Sequence, residues 1–207
     1  MNYDLFSSSS DCSDTVSRID MPDGDVRLYA ALFSPSEATQ LLELLQRDIQ
    51  WQQETIRLYG QVHKQPRLTA LYGDPGITYR YSGITIESMP WIPALLHIKA
   101  RIEEVSNARF NSVLLNRYRD GQDSMGWHAD DEPELGRNPV IGSVSLGQSR
   151  TLQMKHRFDK SKRLDIPLAN GSFLLMQGEV QHCWLHQIAK SRRQLDERIN
   201  LPYRLIG

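Results

Sequence analysis

The sequence predicts an α+β fold that is mainly β, in which two helices precede a sandwich or barrel of short strands. Two observations support this fold class. Leucine and isoleucine recur at helical spacing in two segments before residue 107, and this period is lost after Asn111. Seven short strand-like runs then follow, separated by turn residues such as Asp120-Gly121 and Asn170-Gly171, a pattern typical of sandwiches and barrels.

Both helices carry recognisable start signals. The first begins at the capping box Ser34-Pro35-Ser36-Glu37, where Pro35 takes the first helical position. Its apolar stripe is Leu41, Leu42, Leu45 and Ile49. The second helix is predicted to start near Pro93 and to end at Asn107, and its stripe is Ile98, Ile102 and Val105. Both stripes indicate helices that pack against a core.

The strands predicted after Asn111 are short and bounded by turns. They cover residues 111–118, 139–146, 150–157, 163–168, 171–177, 181–187 and 197–204. Between the helices, residues 55–88 are polar, aromatic and rich in turns, and we interpret them as a hairpin lid over the mouth of the barrel. Residues 21–207 are predicted to form one domain that includes this lid.

Charge is divided unevenly along the chain. Residues 1–25 carry six aspartates and one arginine, a net charge of −5, so the remaining residues carry +4 of a total of −1. Residues 1–20 also hold a serine run and few large apolar side chains, so we predict a disordered acidic tail there. The chain has 207 residues, of which 40% are hydrophobic. The residues after this tail are therefore enough to form a buried core.

Composition also limits where the protein works. Only 2 cysteines are present and no signal peptide opens the sequence, which favours a reducing compartment. We therefore expect a cytoplasmic protein with access to the nucleoid, or a nuclear one in a eukaryote. The apolar runs fall far short of the roughly 18 residues of a membrane span. We expect a monomer without a membrane partner.

The sharpest chemical pattern is Trp127-His128-Ala129-Asp130-Asp131. On an extended segment, residues i and i+2 point the same way, so His128 and Asp130 can face one ion. Two imidazoles and one carboxylate form the facial triad of non-haem Fe(II) oxygenases, although His-x-Asp also occurs as a surface pair without metal. Candidates for the second histidine are His182, His186 and, more weakly, His156. Strand parity does not separate the first two, because they are four residues apart.

A second polar pattern lies near the end of the sequence, in Arg198-Ile199-Asn200-Leu201-Pro202-Tyr203-Arg204. On a strand, Arg198, Asn200 and Arg204 share one face. Turned into a barrel, two guanidiniums would need anionic partners, and a dicarboxylate suits them because arginine binds carboxylates bidentately. Asn116 and Tyr118 share a face in the same way and would add an amide and a phenol. The alternative is an amphipathic strand with its polar face in water.

Together, Asn116-x-Tyr118, His128-x-Asp130, His186 and Arg198-x-Asn200-x-x-x-Arg204 resemble the AlkB family of Fe(II)/2-oxoglutarate dioxygenases. The resemblance runs from about residue 27 to residue 204. It implies a double-stranded β-helix, or jelly roll, with Fe(II) bound by His128, Asp130 and His186. It chooses His186 over His182 because Trp184 matches the tryptophan two residues before the family's metal histidine.

The resemblance also implies a cosubstrate site and an activity. It places Arg198 and Tyr118 near one end of 2-oxoglutarate and Arg204 near the other, with Asn116 and Asn200 as further contacts. The implied reaction repairs 1-methyladenine and 3-methylcytosine in DNA. Fe(II), 2-oxoglutarate and O2 hydroxylate the N-methyl group, and formaldehyde, succinate and CO2 are released. The alternatives are an RNA demethylase or a protein hydroxylase on the same fold, and a non-catalytic binding barrel.

Four residues are expected to meet the substrate: Asp131, Tyr79, Tyr81 and Tyr59. By resemblance, Asp131 would favour a cationic methylated base over a neutral one, unless it is a solvated acid or a cap. Tyr81, with Tyr79 beside it, would stack on a flipped base, unless the two belong to an ordinary half-buried hairpin. Tyr59-Gly60 resembles a hairpin tip that inserts an aromatic wedge into a duplex, and an exposed turn tyrosine is the alternative.

Basic residues near these aromatics are predicted to contact phosphate: Arg57, Lys64, Arg67 and Arg80. A second basic run covers residues 155–163. On a body with a net charge of +4, both favour a nucleic-acid partner, although many charge runs are simply solvated faces. The preferred strandedness stays open. Tyr59 resembles duplex-acting members of the family, whereas residues 127–133 resemble the single-strand subgroup.

Overall fold

Strands dominate the computed structural model, which describes residues 13–58, 61–81 and 84–207, with only the backbone at 13, 14, 56–58, 62, 80, 81, 84 and 85. In chain order the strands are β1 (Ser13–Ile19), β2 (Asp25–Ala31), β3 (Thr55–Leu58), β4 (Gln61–Lys64), β5 (Leu68–Gly73), β6 (Thr78–Tyr81), β7 (Ile84–Glu87), β8 (Met89–Pro90), β9 (Ser112–Tyr118), β10 (Met125–His128), β11 (Ile141–Gly147), β12 (Arg150–His156), β13 (Arg163–Leu168), β14 (Ser172–Gln177), β15 (Trp184–Ile188) and β16 (Arg198–Arg204). The predicted strands after Asn111 all form, with small changes at their ends.

Two sheets and two hairpins account for these strands. The larger sheet has the order β1-β2-β14-β11-β16-β9-β5-β8, and the smaller has the order β10-β15-β12-β13. The pairs are antiparallel except β5 with β8. The hairpins are β3–β4 and β6–β7. Two facing, mostly antiparallel sheets form the jelly roll that the resemblance implied.

The larger sheet is covered on both faces. Along β9, Leu114 and Tyr118 pack into an apolar cluster with residues of the smaller sheet, whereas Val113 and Leu115 pack into a second cluster with the helices. This division follows from the strand geometry, because successive side chains point to opposite faces. Every second side chain of a strand such as β9 therefore lines the space between the sheets. A polar side chain buried there without a hydrogen-bond partner would lower the stability of the fold.

Both predicted helices form. Helix α1 (Pro35–Asp48) is capped by Ser34, whose hydroxyl accepts a hydrogen bond from the Glu37 backbone N–H at 3.2 Å. Helix α2 (Pro93–Ser106) ends at Asn107, which adopts the left-handed conformation with φ of 53°. The side chains buried by these helices belong to the cluster that covers the larger sheet.

A third helix, α3 (Val180–Cys183), replaces the start of the strand predicted over 181–187. The backbone N–H groups of His182 and Cys183 both donate to the Glu179 carbonyl, which closes a single turn before β15 begins at Trp184. A short 3-10 turn also lies at Pro133–Leu135. Both turns lie close in sequence to residues of the predicted metal site.

The N-terminal segment is more ordered than predicted. Residues 13–19 were expected to belong to a disordered tail, but they form β1, which pairs with β2 at the edge of the larger sheet. Sheet pairing uses backbone groups, so a strand with few apolar side chains can still add to an open edge. Val16, for example, stays 46% exposed. The predicted tail residues 1–12 lie outside the described residues.

The lid prediction over 55–88 is partly wrong. The hairpins β3–β4 and β6–β7 form as expected. Between them, however, β5 is an integral strand of the larger sheet and pairs with β9 along six residues, from Leu68 to Gly73. The hairpin tips at residues 59–60 and 82–83 lie outside the described residues. In the described ranges, no helix has the length and apolar character that crossing a membrane requires.

The turn between β13 and β14 depends on Gly171. Its φ is 81°, and a Cβ there would lie 2.4 Å from the Phe33 backbone oxygen. We expect Gly171→Ala to lower the free energy of unfolding by roughly 3 kcal/mol, because positive-φ strain and this clash act together. Gly76→Ala is the matched control, since Gly76 has φ of 83° but no neighbouring atom within 4 Å. Its loss should be roughly 1 kcal/mol. Equal losses in urea unfolding would contradict the role of the Phe33 contact.

Candidate active site

Three predicted metal ligands meet between β10 and β15. His128, the last residue of β10, pairs directly with His186 of β15, and Asp130 follows two residues later. The ligand atoms of the three side chains lie within 4.8 Å of one another. The His186 Nε2 atom is 3.8 Å from Asp130 Oδ2. Both side chains of His-x-Asp therefore meet at one point, although β10 ends at His128 and Asp130 lies beyond it.

The other two candidate histidines lie elsewhere. His182 is exposed on α3, and its Nε2 accepts a hydrogen bond from the Asn138 backbone N–H at 3.3 Å. His156 is buried on β12 and bonds through Nε2 to Asp23 at 3.1 Å. The structure thus brings His186, and neither His182 nor His156, to the other two ligands.

The protonation states of the three side chains suit a divalent ion. The His128 Nδ1–H donates to the Gly126 carbonyl at 2.8 Å, which leaves the Nε2 lone pair for a metal. Burial lowers the pKa of His128. Burial and the neighbouring His128 together lower the pKa of His186 to about 3. Burial alone would raise the pKa of Asp130, but Arg204 and the histidines bring it to about 2. Two neutral imidazoles and one carboxylate match the donor set that non-haem Fe(II) prefers.

Arg204 is tied to the metal carboxylate. Its Nη2 donates to Asp130 Oδ1 at 2.6 Å, and both side chains are buried. The guanidinium also lies over the Tyr79 ring, 5.2 Å from its centroid. The resemblance assigned Arg204 to one end of 2-oxoglutarate, and the structure adds this more direct contact. The buried Arg204 Nε has no hydrogen-bond partner in the described part of the chain, so one donor stays available for a cosubstrate.

The opposite end of the pocket holds Arg198. This side chain is 1% exposed, and its Nη2 donates to Ser145 Oγ at 3.0 Å. Its Nε and Nη1 are buried without a hydrogen-bond partner among residues 13–58, 61–81 and 84–207. Burial lowers the pKa of Arg198 to about 10, so it remains a cation at neutral pH. A buried cation with two free donors requires an anion, and a carboxylate fits the fork of a guanidinium.

Tyr118 and two asparagines complete the cosubstrate side. Tyr118 pairs with Arg198 across β9 and β16, and its ring centroid lies 5.2 Å from the guanidinium carbon. Asn116 and Asn200 are paired two residues further along the same strands. The Asn200 amide donates to Ser143 Oγ at 2.7 Å. All of these side chains line one pocket, which favours a polar face turned into the barrel over one that faces water.

One pocket collects the metal and cosubstrate residues. All eight predicted ones line it: Asn116, Tyr118, His128, Asp130, His186, Arg198, Asn200 and Arg204. An apolar wall of Met125, Ile141, Leu152, Leu168, Met176 and Ile188 completes the lining. Ser143 and Ser145 were missed in the sequence, although their i, i+2 spacing in β11 puts both hydroxyls on one face.

Arg67 corrects a predicted phosphate contact. Its side chain is 3% exposed, and its Nε donates to Asn116 Oδ1 at 2.7 Å, so it supports the pocket from within. It was predicted to contact phosphate because it belongs to the basic residues around the predicted substrate aromatics, but it directly precedes β5, which pairs with β9, and its side chain is buried there. Lys64 is exposed at the end of β4, as a phosphate contact requires. The side chains of Arg57 and Arg80 lie outside the described part.

The substrate-side predictions change more. Asp131 is exposed and bonds through Oδ2 to Arg157 Nη2 at 2.6 Å. The next residue, Glu132, instead lies beside the Tyr79 hydroxyl and Arg204, and burial raises the pKa of its carboxyl. The structure therefore makes Glu132, and not Asp131, the carboxylate next to the metal site. Residues 129–132 form no strand, so parity along the sequence gave no means of choosing between the two.

Of the three predicted substrate tyrosines, Tyr79 needs revision. Tyr79 is 1% exposed and contacts Arg204, so it belongs to the floor of the site and does not offer an open stacking face. The Tyr81 side chain lies outside the described part, and so does all of Tyr59. Their assigned roles in base stacking and as a wedge stay predictions.

Comparisons with known proteins agree with this architecture. Residues 25–204 match the model of the 2OG-Fe(II) oxygenase superfamily. The chain is 40% identical over 190 residues to alpha-ketoglutarate-dependent dioxygenase alkB homolog 3 of Homo sapiens, covering 87% of this chain and 66% of that protein. It is 36% identical over 188 residues to DNA oxidative demethylase ALKBH2 of Mus musculus, covering 86% and 79%. The chain thus spans just under two thirds of the alkB homolog 3 length.

Solved structures share the fold at low sequence identity. The structure of OsALKBH1 is similar with a TM-score of 0.64 and 16% identity, covering 91% of this chain and 100% of that one. A Pseudomonas putida prolyl-4-hydroxylase gives a TM-score of 0.55 with 15% identity, covering 88% and 93%. At such identities the likeness concerns the fold alone.

Proposed function

The chain belongs to the 2OG-Fe(II) oxygenase superfamily, and on that premise we propose that it is an AlkB-type demethylase that oxidises N-methyl groups on bases of DNA. The single observation that carries the proposal is the pocket in which His128, Asp130 and His186 adjoin a buried, incompletely bonded Arg198. A barrel that only binds a ligand would need neither an open triad nor a buried cation in the same pocket. The preferred substrates are the cationic lesions 1-methyladenine and 3-methylcytosine.

The chain's own residues bind and orient the reactants. His128, Asp130 and His186 would hold Fe(II), and Arg204 fixes the orientation of Asp130. Arg198 lines the same pocket as the triad and has two buried donors without a partner in the described part of the chain, so it would receive the carboxylate of 2-oxoglutarate remote from the metal. Bound iron, with 2-oxoglutarate and O2, supplies the oxidation that converts the N-methyl group to a hydroxymethyl group, which leaves as formaldehyde with succinate and CO2 as co-products.

A nucleic-acid partner is supported by the outer surface near the triad. Trp127, next to His128 in sequence, is 37% exposed, and Lys155 Nζ lies 4.2 Å from its ring centroid. The basic run that starts at Lys155 continues through the loop after β12, and Lys64 is exposed on its hairpin. An exposed aromatic ring with a lysine beside it suits bases and phosphates. The monomeric state and the cytoplasmic or nuclear location stay predictions from sequence.

The proposal is tested with purified protein, Fe(II), 2-oxoglutarate and matched oligonucleotides that contain 1-methyladenine or 3-methylcytosine. Single-stranded DNA, double-stranded DNA and RNA are compared, and loss of the methyl group is followed by mass spectrometry together with formaldehyde release. Demethylation of at least one DNA form, absent without 2-oxoglutarate, is the expected result. Faster repair of RNA than of both DNA forms would reassign the substrate. Succinate formation stimulated only by peptides would contradict nucleic-acid repair.

Discrimination by charge is expected to depend on Glu132. A carboxylate in a partly desolvated site attracts a cationic ring more than a neutral one. Glu132→Gln keeps the shape but removes the charge, so it should lower repair of 3-methylcytosine at least about tenfold relative to repair of neutral 3-methylthymine. The measurement is the ratio of the two repair rates at saturating Fe(II).

Asp131→Asn is the matched control, because it makes the same chemical change one residue away on a side chain bonded to Arg157. The ratio should stay at the wild-type value in this variant. A ratio that falls with Asp131→Asn and not with Glu132→Gln would return the charge-reading role to Asp131.

A further inference from the structure

We infer that Gln181, Arg157 and Asp131 form a clip that positions the metal ligand Asp130. The inference rests on the proposed ligand set and concerns residues that do not themselves touch the metal. It starts from the local backbone. Asp130 lies after the end of β10 at His128 and before the 3-10 turn at Pro133–Leu135, so no sheet pairing holds residues 129–132. Other contacts must therefore fix the direction of the carboxylate.

Gln181 holds the backbone of Asp130. Its side-chain Oε1 accepts a hydrogen bond from the Asp130 N–H at 3.0 Å, and the residue is 0% exposed. Because the partner is an N–H group, the oxygen of the amide must face Asp130. The amide nitrogen faces the sulfur of Met176 at 3.7 Å, a weak acceptor. The oxygen of the fully buried Gln181 amide thus accepts its hydrogen bond from the backbone of the proposed metal ligand Asp130.

Arg157 connects the two sides of this contact. Its Nη2 donates to Asp131 Oδ2 at 2.6 Å and to the Gln181 carbonyl at 3.1 Å. Its backbone N–H donates to the Cys183 carbonyl at 2.7 Å, which ties the end of β12 to the same helical turn. One nitrogen of the Arg157 guanidinium therefore links Asp131 to Gln181, the residue whose side chain accepts a hydrogen bond from the Asp130 N–H. This arrangement accounts for Asp131, whose exposed carboxylate pairs with Arg157 and is not one of the three ligands.

The clip and Arg204 hold Asp130 from two directions. Arg204 bonds the carboxylate, while Gln181 bonds the backbone that carries it. Partners behind metal ligands fix ligand orientation, and their removal typically weakens metal affinity by about 10–100-fold. Gln181 is thus assigned as a positioning residue for metal binding, with Arg157 and Asp131 acting through it.

The first test is Gln181→Met, which keeps the length of the side chain and removes the oxygen acceptor. The probe is Mn(II), whose binding is measured by electron paramagnetic resonance with 2-oxoglutarate present and without O2. We expect affinity to fall about 10–100-fold. The control is Gln40→Met, the same change at an exposed position of α1, whose buried residues pack in the cluster on the helix-covered face of the larger sheet. Its affinity should equal that of the wild type.

The second test uses the partly exposed members of the clip, whose replacement leaves the core intact. Asp131→Ala and Arg157→Met should each weaken Mn(II) binding several-fold, and the double variant should be no weaker than either single one, because the two act as one unit. Arg157→Lys should restore most of the affinity, since one ammonium can donate to both oxygens. Thermal melting of the metal-free variants reports any general loss of stability.

Two outcomes overturn the inference: wild-type affinity in Gln181→Met, or additive losses in the double variant with no rescue by lysine. Both require that the wild type binds Mn(II) and that His186→Ala does not. If the wild type itself fails to bind, the ligand set is wrong, and that failure is separate from failure of the clip.

Discussion

Replacing His186 with alanine is expected to abolish demethylation and to weaken Fe(II) binding by more than about 100-fold, beyond the loss typical of outer residues. His186 supplies one of three ligand atoms that lie within 4.8 Å of one another, and among the described residues no histidine other than His128 and His186 belongs to this group. The measurement is anaerobic calorimetric titration with Fe(II), followed by turnover on a methylated oligonucleotide.

His182→Ala is the matched control for this variant. The two histidines are four residues apart in sequence, but the His182 side chain is exposed and bonded to the Asn138 backbone. Its replacement should leave Fe(II) affinity and turnover near the wild-type values. If His182→Ala removed activity while His186→Ala kept it, the third ligand and the arrangement of the pocket would both be wrong.

A second large effect is expected at Arg198. Its free donors, Nε and Nη1, are buried beside Tyr118, and charge-assisted hydrogen bonds contribute about 1.5–3 kcal/mol. Arg198→Met should therefore raise the KM for 2-oxoglutarate by about 10- to 150-fold, because each 1.4 kcal/mol is a factor of ten. Saturating 2-oxoglutarate should restore most of kcat, since the metal ligands are unchanged. Initial rates over a wide range of 2-oxoglutarate concentration measure both constants.

Arg109→Met serves as its control, because Arg109 is 84% exposed and pairs with Glu103 at the end of α2. No change in either constant is expected there. Arg204→Met should differ from both, since Arg204 bonds Asp130 and its loss should weaken Fe(II) affinity as well. A rise in the KM for DNA with an unchanged KM for 2-oxoglutarate in Arg198→Met would indicate an arginine that faces phosphate.

The residues that could be predicted from sequence lie on regular strands. Parity alone placed Asn116, Tyr118, Arg198, Asn200 and Arg204 on common faces, and β9 and β16 pair so that these faces meet. The choice of His186 required the family resemblance, because His182 and His186 have the same parity. The structure separates them through α3, a single helical turn that carries His182 away from the strand.

What could not be predicted depends on long-range pairing or on irregular backbone. Arg67 is buried because β5, which starts at the next residue, inserts beside β9, and the local sequence does not indicate which strand will be its neighbour. Glu132 and Asp131 sit in a segment without regular period, where each side chain is directed by tertiary contacts. Strand β1 forms through backbone pairing with β2. The amino-acid composition of residues 13–19 does not predict this pairing.

Strand β10 lies at the edge of the smaller sheet, and its register with β15 shifts between Met125 and His128. An edge held by so few pairs opens locally at a lower free energy than strands in the core. An ion shared by His128, Asp130 and His186 would bridge this edge to its neighbour, and the stabilisation grows with ion concentration relative to Kd. A bound ion would therefore make local opening of this edge less frequent, and we expect a protease to cleave the metal-free protein there faster than the metal-loaded protein.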